Sequence, residues 1–111
     1  MAFADLEDAR RHHAALLEVL IHHPGGWADR ASLSKVLESC RAASLAIDDA
    51  QCVEQIEIVA GHATDLYSEH AHGKWARSNI SGADFLRLQM VSALHSLSRR
   101  LSAIEVARLS R

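Results

Sequence analysis

The residues that could do chemistry are first of all histidines, eight of them in 111 residues. His12-His13 and His22-His23 are adjacent pairs, and adjacent rings on a helix diverge by about 100°, a poor chelating geometry. His70-x-His72 would put two imidazoles on one face of a strand. Glu69-x-x-His72 would add a carboxylate on a helix instead. A closed zinc site takes three or four ligands, and none of these sets supplies them, so no metal site is expected. The imidazoles then read as solvated groups that make surface charge sensitive below pH 7.

Other reactive groups are sparse. The two cysteines, Cys40 and Cys52, form no CxxC motif, which fits thiols kept reduced in a cytosol. Cys52 falls near a helix start, where its pKa would drop, but Asp48 and Asp49 beside it oppose that, and buried packing is the expected role. Glu54 and Glu57 read as a solvated carboxylate pair. There is no G-x-S-x-G, no Gly-rich phosphate loop and no H-E-x-x-H. The sequence therefore predicts no enzyme, no catalytic residue and no cofactor.

The elements follow from apolar spacing and punctuation. A first helix is predicted over 3–23, with Leu6, Ala9, His13, Leu16, Leu17, Leu20 and Ile21 in one stripe, stopped by Pro24-Gly25-Gly26. Trp27 is expected to plug the end of the core. A second helix over 29–43 carries Leu33, Val36, Leu37 and Cys40. Leu45 and Ile47 then form a minimal strand or a staple. Asp48 with Gln51 three residues on is a capping-box signature for a third helix over 48–61, with Gly61 as its C-cap. Residues 63–80 read as a β-hairpin, with Thr64 and Tyr67 in the first strand and Gly73 in the turn. Ser81-Gly82-Ala83-Asp84 opens a last helix over 81–109.

That last helix carries a heptad-type seam, Met90, Leu94, Leu97, Leu101 and Ile104, in steps of four and three. At 1.5 Å per residue it would be roughly 43 Å long, too long for a small body to cover. Homodimerisation through this C-terminal helix is therefore expected; the competing expectation is that it packs on the first helix of its own chain.

Helix, helix, helix, hairpin, helix is the layout of a winged helix. The chain resembles ArsR-like winged-helix domains, and most of all the small winged-helix proteins of Mu-like prophages. The residues that carry the resemblance are Ala15 to Leu20 followed by His23-Pro24-Gly25-Gly26, then Ser32 to Leu37, Asp49 through Ile58, and Ile80 to Leu86. It spans most of residues 10 to 90, departs from the family at Gly61-His62-Ala63-Thr64, and lacks the Cys-x-Cys or Asp-x-His clusters of the family's metal sensors. The resemblance implies a mainly α fold with a small β-hairpin, a winged helix-turn-helix that acts as a dimeric transcriptional regulator of phage or prophage type.

Double-stranded DNA is the partner so implied. Gln51 and Gln55 would meet the bases, with Arg30, Lys35, Arg41, Lys74 and Arg77 at phosphates. Against this, the third helix holds Asp48, Asp49, Glu54 and Glu57 and no Lys or Arg, and four carboxylates repel phosphate. The alternative is a scaffold for protein–protein contact, with the acidic third helix as docking face.

Composition sets the outer bounds. The chain is 49% hydrophobic but 5% aromatic, which favours helices, and its length suits one domain. The net charge of −2 leaves any nucleic-acid affinity to a local patch. No apolar run reaches the roughly 18 residues of a membrane span, and the start lacks a signal-peptide core. A cytoplasmic protein with no membrane partner is expected.

Overall fold

A computed structural model describes residues 6–23, 29–67 and 82–109. These form four helices: α1 (Leu6–His22), α2 (Arg30–Ala46), α3 (Ala50–Leu66) and α4 (Gly82–Leu109). Glu7 and Asp8 lie in the first turn of α1, where carboxylates suit the helix dipole. Asp29 caps α2, accepting from the Ser32 N–H at 3.0 Å and the Ser32 hydroxyl at 2.7 Å. Asp49 caps α3, accepting from the Cys52 N–H at 3.0 Å. The expected cap at Asp48 is thus one residue early, and Asp48 is exposed.

Each helix packs on its sequence neighbours, and α4 closes the ring against α1; among the described residues the backbones of the diagonal pairs stay apart. Polar contacts fix the directions. Asp29 N–H donates to Tyr67 O at 3.1 Å, so α2 starts where α3 ends. Arg10 near the start of α1 bonds Glu105 near the end of α4 at 2.8 Å. His13 Nε2 donates to Leu94 O at 2.8 Å. All neighbouring helices are antiparallel, the up-down-up-down arrangement of a four-helix bundle. The core runs along the axis: Leu16 and Leu20 from α1, Val36 and Cys40 from α2, Ile56 and Val59 from α3, and Met90, Leu94, Leu97 and Leu101 from α4.

This architecture corrects the winged helix-turn-helix. The first half of the expected hairpin is helical, because α3 continues through residues 63–66. Its buried positions Cys52, Ile56, Val59, Ala63 and Leu66 step by four, three, four and three, an unbroken helical stripe. Gly61 sits inside that helix rather than at its C-cap. Among the described residues there is no strand; residues 68–80, with the expected turn, lie outside them, as does Trp27. Helices α2 and α3 also lie antiparallel, not at the 90–120° of a helix-turn-helix. The second helix runs on to Ala46, leaving Leu45 83% exposed and not a staple, while Ile47 is buried.

The seam on the last helix is real, but its partner is the chain itself. Met90, Leu94, Leu97 and Leu101 are at most 1% exposed, and Ile104 packs on the same cluster. They are filled by α1 and α3, so they are not available as a dimer interface. The competing expectation, packing against the first helix, holds for this face.

One ion pair ties two helices at the far end. Arg100 donates to both Asp49 oxygens, Nε at 3.0 Å and Nη2 at 2.8 Å, while Asp49 still caps α3. The guanidinium holds the Asp49 pKa down to about 2. Asp49→Ala is expected to cost about 1–2 kcal/mol through the lost cap and pairing, read from urea unfolding. The unfolded chain binds the proton first, so this stabilisation is full above the ordinary carboxylate pKa of 3.8 and drains as pH falls towards about 2. Arg100→Ala should flatten that acid limb, measured by melts between about pH 2 and 5.

Candidate functional surfaces

Three helix ends meet at one pole. Tyr67, the residue after α3, is 1% exposed, and its hydroxyl donates to His23 O at 2.6 Å. Its own carbonyl accepts from Asp29 N–H. His23 Nδ1 lies 3.7 Å from Asp29 Oδ2. A serine, an imidazole and a carboxylate therefore gather here, but in the wrong order for nucleophilic catalysis. The buried Ser32 hydroxyl donates to Asp29, not to His23, so no imidazole is placed to take its proton. The Ser32 N–H and hydroxyl hold the Asp29 pKa below its usual value. The arrangement is a clasp joining α1, α2 and α3.

Beside the clasp, α1 and α2 flank an open cleft of about 380 Å³, edged by Glu18, His22, His23, Lys35, Glu38 and Ser39. It holds charges of both signs. Among the described residues no group of three or more His, Cys, Asp or Glu is placed to hold a metal ion. The adjacent His12 and His13 go to different partners. His12 lies 3.9 Å from Asp8, and His13 is taken up by the Leu94 carbonyl. His70 and His72 lie outside the described residues.

The residues expected at DNA do not gather into one face. Arg30, Lys35 and Arg41 are exposed on α2. Lys35 borders the cleft with α1, and Arg41, six residues on, points about 120° away around the helix. Gln51 is exposed and Gln55 half-buried on α3. Lys74 and Arg77 lie outside the described residues.

The outward face of α3 is more uniform. Gln51, Glu54, Ile58, Gly61 and Asp65 are all exposed and recur at steps of three and four, with Glu57 alongside. Asp49 is withdrawn from this face by its cap and its pair with Arg100. A Cβ added at Gly61 would meet nothing within 4 Å. Glycine there weakens the helix without any packing need among the described residues.

Both cysteines are buried free thiols. Burial raises the pKa of each to about 12, with Asp49 adding to the rise at Cys52. They act as core residues, as expected from the sequence. Tyr67, Arg100 and Gly61 were not singled out for these roles. Tyr67 continues the buried face one step past Leu66, a signal masked by its strand propensity; nothing local marks Arg100 as the partner of Asp49.

The site and fold define a small antiparallel helical bundle with charged outer faces. No family model, curated protein or solved structure matches the chain. No helix among the described residues is long and apolar enough to cross a membrane.

The clasp is testable with base. Burial, aided by the Asp29 charge, raises the Tyr67 pKa from 10.0 to about 12. The neutral phenol is favoured in the fold, so its stabilisation is complete below pH 10 and lost as pH climbs towards 12. Tyr67→Phe should cost about 1 kcal/mol at neutral pH, from the lost hydrogen bond. It should also remove the Tyr67 share of the alkaline fall, the rest of which comes from the buried Cys40 and Cys52 thiols, seen by comparing melts at about pH 8 and 11.

Proposed function

We infer that the protein is a non-catalytic interaction module that docks a basic helical segment of another protein on the outer face of α3. The observation that carries this reading is the exposed stripe of Glu54, Ile58, Gly61 and Asp65 flanked by Glu57, on a helix without Lys or Arg. Carboxylates give a basic partner orientation and a fast encounter. Ile58 offers an apolar anchor, and bare backbone at Gly61 admits close approach of a second helix, the helix-in-groove mode of recognition. The reading keeps the expected cytoplasmic location, where Cys40 and Cys52 remain reduced.

DNA binding is the second reading. The three exposed cations of α2, Arg30, Lys35 and Arg41, favour it. With no strand among the described residues, it would have to use α2 and whatever Lys74 and Arg77 contribute.

One titration separates the two. A Lys/Arg-rich amphipathic peptide and a mixed-sequence duplex are each added to isotopically labelled protein at low and then moderate salt. The peptide is expected to shift amide signals of α3, to bind more weakly with salt, and to lose about tenfold in affinity on Glu54→Lys or Glu57→Lys. Gly61→Ala should weaken the peptide while stabilising the free protein by about 0.5–1 kcal/mol. Duplex binding that falls on Lys35→Ala and Arg41→Ala, with α3 unaffected, would replace this reading by the nucleic-acid one.

A further inference from the structure

The long helix α4 carries a second seam, on the face turned away from the core. Phe85, Leu88, Ser92, His95, Arg99, Ser102, Val106 and Leu109 step by three and four without a break. All are exposed. The large apolar members stand well out in solvent, Phe85 at 57%, Leu88 at 64%, Val106 at 63% and Leu109 at 81%. A strict heptad stripe on an exposed surface has the pattern of a coiled-coil contact. The core has no use for it, because the buried residues Met90, Leu94, Leu97 and Leu101 lie on the opposite side of the same helix.

The order of residues along this seam says what covers it. Apolar residues occupy both ends, and small or polar ones the middle. Numbered outward from Leu97, the sequence is its own complement: Phe85 mirrors Leu109, Leu88 mirrors Val106, Ser92 mirrors Ser102, and His95 mirrors Arg99. Two α4 helices laid antiparallel about a dyad at Leu97 therefore join apolar to apolar at each end. They join serine to serine further in, and imidazole to guanidinium beside the axis. Antiparallel coiled coils pair the two kinds of seam position with each other, which is what this mirror does. Of the flanking positions Gln89, Val91, Ser96, Ser98, Ala103 and Glu105, only the last is charged, and it falls opposite Gln89 and Val91, so no like charges meet.

Other arrangements fit worse. A parallel pair would stack Arg99 on Arg99 of the other copy and align the helix dipoles. An antiparallel shift by one heptad would set Phe85 against Ser102 and Leu88 against Arg99. Polar groups at a central seam position fix register at a cost in stability. The geometry points to a second copy of this chain as the occupant, in a two-fold antiparallel α4–α4 dimer centred on Leu97. This surface is distinct from the acidic face of α3 and does not depend on its role.

With only the two apolar layers at each end, the dimer is expected to be weak, with a dissociation constant of about 10–100 μM. Sedimentation of the full chain from about 1 μM to 1 mM measures it. Leu88→Glu should weaken the dimer at least about thirtyfold, with the helical circular dichroism unchanged because the position is exposed. Adding Val106→Lys to Leu88→Glu puts opposite charges face to face in both end layers, and should recover at least about tenfold of the loss. A protein monomeric up to about 1 mM overturns the proposal. So does a dimer indifferent to Leu88→Glu. Failure of the charge pair to restore association overturns the antiparallel register, and with it the dyad at Leu97.

Discussion

The bundle depends on one apolar strip, the inner face of α4. Isolated helices of 17 residues, the length of α1, α2 and α3, are marginal in water and need a surface on which to bury a face. Helix α4, with 28 residues and a length of about 42 Å, is the one element long enough to serve α1 and α3 together. Leu94, Leu97 and Leu101 fill the axis, and removing any one would leave a cavity that neighbours close only in part. Polar contacts then set the register along this strip. His13 reaches the Leu94 carbonyl, Arg100 reaches Asp49, and Arg10 reaches Glu105, each binding a different level of α4.

Much of this was legible in the sequence, and the failures share a cause. The stripes of α1, α2 and α4 were readable because apolar spacing was not interrupted. The expected hairpin fails in its first half because Gly61 does not stop α3. A glycine ends a helix when the chain needs a left-handed turn there; with open space above it and Ala63, Leu66 and Tyr67 still on the buried face, nothing forces that turn. Spacing outranked punctuation, and the strand preference of Thr64 and Tyr67 gave way to burial. The winged-helix layout needs a hairpin over residues 63–80, and α3 runs helical through the start of that stretch, to Leu66.

Surface chemistry was less legible. The spacing of Met90, Leu94, Leu97 and Leu101 predicts a dimer seam, but spacing alone cannot say whether the matching surface belongs to the same chain. Only the ring of four helices decides it. The acidic character of the third helix was visible, but Asp49 was counted with the others, although its charge is spent on Arg100. Pairings between residues 51 positions apart leave no local mark. The fold uses His13 for a hydrogen bond to the Leu94 carbonyl and both thiols for packing.

The two core thiols have a kinetic consequence. A thiol with a pKa of about 12 is ionised to roughly one part in 10⁵ at neutral pH, and only the thiolate reacts with electrophiles. Cys40 lies on α2 and Cys52 on the first turn of α3, either side of the Ile47–Asp49 connection. Neither can be modified until that corner of the bundle opens and water returns to it. The chain thus contains its own clock: the rate at which an alkylating reagent consumes these two sulfurs reports how often α2 and α3 part.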